Sequence, residues 1–244
     1  MEMIYDNGLV GDDNFSRMLN AVFLNLPAAE AVRRRMTTMR REMNALAPGS
    51  RVLNLACGSA RELAGVDNAI TVDLADHDTH ALAHAARHRN GVAADLLQLN
   101  AFEYIKGRRR FDTIDGGTID LADRRYDLVY SSGLFDYVPV FADNPGRGAP
   151  ALVAGLFDLL KPGGRLVVGN FAAASDNNPH LPSHRLMMEL YAEWFLIYRN
   201  RAEMIDLARN LSPQAMSMRI LNERFAEPDI EPTTIWFLEI TRNA

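Results

Sequence analysis

Residues 51–64 read Arg51-Val52-Leu53-Asn54-Leu55-Ala56-Cys57-Gly58-Ser59-Ala60-Arg61-Glu62-Leu63-Ala64. The apolar run Val52 to Ala56 suits a strand buried on both faces. Cys57, Gly58, Ser59 and Ala60 bring no bulky side chain to the turn that follows, so a ligand and the backbone can approach closely. Arg61-Glu62-Leu63 then opens a helix, whose first N–H groups lack partners of their own. A strand entering such a turn is where an α/β sheet holds a nucleotide-like ligand. The three glycines that let a pyrophosphate lie against a helix end are missing, which points away from a dinucleotide and toward a smaller adenosine ligand.

Working outward, strands and helices alternate. Val52 to Ala56 is followed by a helix near Arg61 to Val66, a strand from Ala69 to Asp73 or a little beyond, a helix over Thr79 to Arg89 and a strand over Leu96 to Leu99. After an irregular stretch holding Gly116-Gly117 come the strand Tyr126 to Tyr130, a helix over Ala149 to Leu160, and Lys161-Pro162-Gly163-Gly164 turning into a strand over Arg165 to Gly169. This winding predicts a mainly parallel sheet. Ahead of it, Phe15 to Leu26 and Ala28 to Leu46 read as helices separated by Pro27. The stripe Val32, Met36, Met39, Met43 and Leu46 must dock on the sheet or at the mouth of the ligand site. Pro48-Gly49-Ser50 divides a helical cap (1–48) from the sheet unit (49–244), the whole expected to fold as one domain. Beyond the sheet's parallel part, His184 to Leu207 reads as one long helix with Leu186, Leu190, Trp194 and Ile197 on one side. Met216 to Glu223 and Thr234 to Thr241 read as two final strands.

Composition narrows the class. The chain has 244 residues, 48% hydrophobic and 23% charged, with a net charge of −5, which suits a soluble α/β domain with no global positive field for nucleic acid. Arg33-Arg34-Arg35 and Arg108-Arg109-Arg110 read as solvated faces. No apolar run approaches the roughly 20 residues that span a bilayer, and the acidic N-terminus does not resemble a signal peptide, so a cytoplasmic protein with neither membrane nor nucleic-acid partner is expected. The lone Cys57 excludes an internal disulfide. His80, His84 and His88 recur every four residues, but no acidic or Cys ligand stands in register with them, so no metal is expected.

Together these pieces resemble the class I S-adenosylmethionine-dependent methyltransferases over residues 50–244. Val52 to Gly58 is similar to that superfamily's first motif, Tyr126-Asp127-Leu128-Val129-Tyr130-Ser131-Ser132 to its fourth strand, and Leu160-Lys161-Pro162-Gly163-Gly164-Arg165-Leu166 to the start of its fifth. A narrower resemblance rests on Phe15-Ser16-Arg17, Ala31-Val32-Arg33, Cys57 to Leu63, Ser132 to Val138, Gly169-Asn170-Phe171 and Glu193 to Arg199. These resemble a bacterial branch associated with 3-hydroxy fatty acid methyl esters, in a part of the fold that also holds azetidine-2-carboxylate synthases. The resemblance implies a Rossmann-like sheet of seven strands and S-adenosylmethionine as cofactor. Two positions depart from the superfamily pattern: Asn54 stands where an acid is usual, and Ala60 where a second loop glycine is. Carbonyls or another acid must then offset the ligand's ammonium.

For cofactor binding the resemblance draws attention to Asn54, Ala56, Cys57, Gly58, Ser131 and Ser132. A ribose diol calls for a carboxylate at the end of the second strand, where Asp73 and Asp76 compete, with Asp76 slightly favoured. Asn100 and Ala101 are placed to read an adenine edge, with Asp95 as the alternative. Arg61 is either a partner for the cofactor carboxylate or a surface arginine. Phe135, Tyr137, Trp194 and Tyr198 offer ring faces to a sulfonium. Tyr137 and Asp136 are candidate bases, and Asn170 lies at the end of the fifth parallel strand, where ligand sites gather. The expected reaction is methyl transfer to an oxygen of a small apolar molecule. The alternatives are ring closure of the cofactor with release of methylthioadenosine, and a module that only binds the cofactor.

Overall fold

The structure, a computed structural model, describes residues 2–174, 181–226 and 233–244. Three helices come first: α1 (Glu2–Asp6), α2 (Asn14–Leu24) and α3 (Pro27–Asn44). Asp13 caps α2, its carboxylate accepting from the Ser16 N–H at 2.7 Å. The expected break between the two helices falls at Asn25-Leu26, and Pro27 itself begins the second, where its missing N–H costs nothing. Then follow β1 (Arg51–Leu55), β2 (Thr71–Asp76), α4 (Thr79–His88), β3 (Ala93–Gln98), α5 (Ala101–Ile105), β4 (Arg110–Thr113) and β5 (Thr118–Asp120). The chain continues with β6 (Tyr126–Ser131), α6 (Gly148–Asp158), β7 (Leu160–Phe171), α7 (Leu181–Tyr191), α8 (Arg201–Asp206), β8 (Met216–Leu221) and β9 (Ile235–Arg242).

One sheet unites the strands in the order β5-β4-β3-β2-β1-β6-β7-β9-β8. From β3 to β7 every neighbouring pair is parallel, while β9 and β8 close the far edge antiparallel. The seven strands from β3 to β8 form the expected Rossmann-like sheet. The hairpin β4–β5, formed where an irregular stretch was expected around Gly116-Gly117, adds two antiparallel strands at the other edge. Strand order reverses between β1 and β6, and the carboxyl ends of these two strands and of β2 open a crevice there.

Helix α3 packs on the sheet. Val32, Met39 and Met43 of α3 share one buried cluster with Val52, Val72, Leu128 and Tyr130 of the sheet. Each such side chain contributes about 1.5–3 kcal/mol when fully buried, so α3 is anchored rather than draped. Polar ties add direction: Thr38 donates to the Glu223 carbonyl at 2.9 Å, and Glu42 meets Arg165 at 2.9 Å.

Two expected helices are corrected. Arg61–Gly65 is a single 3-10 turn rather than an α-helix, since Gly65 and the extended Val66 stop it within five residues. The long helix expected over His184 to Leu207 is broken in two. Glu193 takes a left-handed conformation (φ 48°), Ala172 and Arg199 form a β-bridge, and Asn200 caps α8 in a reciprocal box with Glu203. Leu186 and Leu190 are therefore exposed, while Met188 and Leu196 are buried. No helix among the described residues is long and apolar enough to cross a membrane.

Candidate functional site

At the carboxyl ends of β1, β2 and β6 lies a cavity of about 260 Å³. Its floor is the turn after β1, where Ala56, Gly58 and Ala60 all take left-handed φ, at 55°, 53° and 46°. The turn's N–H groups are spent largely on the protein itself: Cys57 donates to the Ala75 carbonyl at 3.1 Å, Gly58 to Asp76 at 2.9 Å and Ala60 to the Cys57 carbonyl at 3.0 Å, which fixes the shape of the floor. Ala60 thus keeps the shape a glycine would adopt freely, at a cost in local strain. Gly58 has open space on its Cα side, leaving room for a ligand against the backbone.

Polar side chains enter from four directions. Asp76, at the end of β2, is buried and lines the cavity. It is oriented by the Gly58 N–H at 2.9 Å and the Asp78 N–H at 3.0 Å, which leaves carboxylate lone pairs free. Asn54, from β1, donates to Glu62 at 2.9 Å, and Tyr130, from β6, donates to the same oxygen at 2.6 Å. Burial pushes the Glu62 carboxyl above its ordinary range, against the opposing effect of the Tyr130 hydrogen bond. Arg35, from α3, crosses to the loop after β6 and donates to the Ser132 carbonyl at 2.7 Å. Arg35 is 7% exposed, yet its Nε has no hydrogen-bond partner. Gly133 leaves space for this guanidinium: a Cβ there would stand 3.3 Å from Arg35 Nη1. Asp136, in the turn after that loop, accepts from the Phe171 N–H at 2.7 Å, and burial pushes its carboxyl up to about 7.

A second cavity, of about 510 Å³, adjoins the first. It is framed by Met3 and Ile4 of α1, Phe23 and Leu24 of α2, Ala28 and Ala29 of α3, and Met188 of α7. Tyr137 and Trp194 line both cavities, and the Trp194 indole N–H donates to the Tyr137 hydroxyl at 2.5 Å. Burial raises the Tyr137 phenol above its ordinary value, so it stays protonated at neutral pH.

Of the residues expected at the site, Asn54, Ala56, Cys57, Gly58, Asp76, Ser132, Asp136 and Tyr137 line the first cavity. The Cys57 thiol is pushed well up by burial and by Asp76 and Glu62, and stays protonated rather than serving as a nucleophile. The others lie elsewhere. Asp73 is fully buried beneath the strands, meeting Tyr126 at 2.5 Å, Arg124 at 2.5 Å and Arg51 at 3.4 Å. Asp95 joins the same group through Arg124 at 2.9 Å. Asn100 caps α5 by accepting from the Phe102 N–H, and Ala101 is packed in the core. Arg61 is occupied by Glu2 at 2.9 Å and Asp6 at 2.5 Å. Ser131 is buried in β6, its hydroxyl unpartnered. Asn170 is fully buried, donating to the Ile197 carbonyl at 2.8 Å and accepting from Arg199, which also donates to the Phe135 and Val138 carbonyls. It braces the walls of the site instead of facing the cavity. Of the four aromatic candidates, Tyr137 and Trp194 face the cavity, Phe135 is core, and Tyr198 lies under Arg185.

Sequence reasoning missed Glu62, Arg35 and Tyr5 as lining residues. Asn54, where the resemblance implied an acid, is hydrogen-bonded to Glu62, eight positions along the chain. A Glu between the turn and an apolar Leu63 was the one available signal. Arg35 stood in a basic run that read as a solvated face, and only its neighbours Val32, Met36 and Met39 hinted that one of three arginines must point inward.

No protein-family model matches the chain, and no curated protein matches it. Solved structures do. A Bordetella parapertussis protein described as a possible exported protein is 21% identical, with a TM-score of 0.70, covering 100% of this chain and 78% of its own. A putative methyltransferase from Thermobifida fusca is 17% identical, with a TM-score of 0.61, covering 100% of this chain and 95% of its own. Magnesium protoporphyrin IX methyltransferase from Synechocystis, solved with SAH bound, is 16% identical, with a TM-score of 0.56, covering 99% of this chain and 92% of its own. At these identities the likeness establishes the fold: the chain has the Rossmann-like fold of the class I methyltransferases. It singles out no branch among them.

Proposed function

We propose that the protein transfers a methyl group from S-adenosylmethionine to an oxygen of a small apolar molecule. The observation that carries this reading is the pair of adjoining cavities, one lined by charged groups at the strand ends and one apolar beneath the cap, with Tyr137 and Trp194 common to both. The residues present fit the cofactor. In this reading Asp76 takes the ribose hydroxyls, and Asn54 with Glu62 faces the ammonium. The free Nε of Arg35 faces a carboxylate, and the open side of Gly58 admits the nucleoside. The bound cofactor supplies a methyl group on an electrophilic sulfonium.

The chain's own contribution is alignment and proton handling. Holding a nucleophile in line lowers the barrier by up to about 7–11 kcal/mol. A carboxylate acceptor needs no base. A hydroxyl acceptor needs one, and Asp136, held near 7, is the cavity group with a proton affinity matched to neutral pH. Tyr137, with its phenol pushed up, is left to position the acceptor, and the Tyr137 and Trp194 rings offer a cation about 0.5–2 kcal/mol. Ring closure of the cofactor itself would leave the apolar cavity without a use, which ranks it second. A cytoplasmic setting and a single small-molecule acceptor belong to the same reading.

Purified protein incubated with S-adenosylmethionine alone and then with panels of apolar alcohols and carboxylic acids, followed by mass spectrometry, tests this. The expected result is S-adenosylhomocysteine only when an acceptor is present. Methylthioadenosine from the cofactor alone would overturn methyl transfer in favour of ring closure. Binding without any turnover on a full metabolite extract would overturn it in favour of a cofactor-binding module.

A further inference from the structure

We propose that Glu2, His84 and His88 form a binding site for a zinc-class divalent ion, which clasps helix α1 to helix α4. His84 and His88 are four apart on α4, so their rings leave the same face of the helix one turn apart. In sequence this pair had no acid in register. The fold supplies one from the start of the chain: Glu2 of α1 reaches α4, and one ligand atom from each of Glu2, His84 and His88 falls within 4.8 Å of the others. Two imidazoles and a carboxylate are the donor set of many three-ligand zinc sites, with solvent completing a tetrahedron.

Two further observations point to a cation. Glu2 Oε1 is closed off from solvent and accepts no hydrogen bond, a costly state for a carboxylate oxygen. Its twin, Oε2, accepts from Arg61 at 2.9 Å and stands 3.9 Å from His88 Nε2. Arg61 therefore orients the carboxylate from behind, the arrangement that outer partners take around ligating groups. Drawing the three donors onto an ion with bonds of about 2.0–2.2 Å requires them to close up somewhat, which the exposed His84 and the short α1 permit.

Clasping α1 has a structural consequence. Tyr5 lines the polar cavity, and Met3 and Ile4 line the apolar one. An ion joining Glu2 to α4 would pin this wall of both cavities in place.

The test is titration of the tag-free full-length protein with Zn²⁺ by calorimetry, together with backbone hydrogen exchange over residues 2–6. The expected result is one ion per chain and slower exchange in α1 on binding, with affinity at least about tenfold weaker in His84→Gln, His88→Gln and Glu2→Gln. All three positions are at or near the surface, and circular dichroism would verify that each variant is folded. His80 is also four residues from His84, so His80→Gln is the control and should bind as the unaltered chain does. Equal weakening by His80→Gln and His88→Gln would overturn the proposal in favour of a surface histidine pair. Full affinity in Glu2→Gln, unchanged exchange in α1, or no stoichiometric binding, leaving only a histidine–carboxylate hydrogen bond, would each overturn it too.

Discussion

The two cavities touch at Tyr137 and Trp194 yet are built from opposite materials. The polar one is made where parallel strands end: Asp76, Glu62 and Asp136 converge there on a small volume, and Arg35 reaches in from α3. The apolar one is made by helices α1, α2, α3 and α7, with Asn20 the one amide among its walls. Strand ends gather directional groups because the sheet holds them rigid. Apart from Arg35, the cap helices supply shape and apolar surface with little direction. A ligand needing exact hydrogen bonds and a partner needing only burial would thus meet at the shared aromatic pair.

The largest effect is expected from a carboxylate that serves neither cavity. Asp73→Asn removes the charge that Arg124, Arg51 and Tyr126 surround. Unfolding in urea should show a loss of about 3–5 kcal/mol, with affinity for S-adenosylhomocysteine unchanged. Weakened binding with intact stability would mean that Asp73 reaches the ligand.

Asp136 gives the next effect, in pH. Its carboxyl is held at about 7 when folded, against an ordinary 3.8. The folded state therefore keeps a proton that the unfolded chain releases. Its contribution to stability is full below about pH 4, falls as pH rises, and is gone above about pH 7, up to about 4 kcal/mol in all. Asp136→Asn keeps an acceptor for the Phe171 N–H and cannot ionise. Subtracting its stability curve from that of the unaltered chain should give a slope between pH 4 and 7 and a more stable variant above. A flat difference would place Asp136 in a wetter setting.

Asp76→Asn should weaken S-adenosylhomocysteine binding by about 30- to 100-fold in calorimetry, through the loss of charge-assisted hydrogen bonds worth about 2–3 kcal/mol together. Its stability should change little, reversing the Asp73 pattern. Smallest is Ala192→Trp, an exposed position on the wall of the apolar cavity. Filling that space should cut turnover about tenfold, near 1.4 kcal/mol, while cofactor affinity stays put. Equal losses in both would mean that the cavities are one.

Much of this was legible before folding. The run Val52 to Ala56, the turn after it and Lys161 to Gly164 announce themselves, because a strand buried on both faces needs a continuous apolar stretch and a turn needs small residues. Asp73 and Asp76 illustrate the boundary. An odd spacing puts them on opposite faces of one strand, so sequence alone says that they cannot share a role. Which of them meets the ligand depended on where β2 ends, and the pairing of Asp76 with Gln98 carries the strand three residues past Asp73.

The succession of strands along the chain, the β4–β5 hairpin excepted, the binding turn and the apolar stripe of α3 were determined by sequence itself, since local periodicity and turn chemistry act over a few residues. What only tertiary structure decided were meetings between distant segments: Arg35 with Ser132, Asn54 with Glu62, Glu2 with His84 and His88, and the breaking of the expected long helix at Glu193. Such contacts depend on which surfaces the packed sheet leaves facing one another, and no local pattern in the chain encodes that.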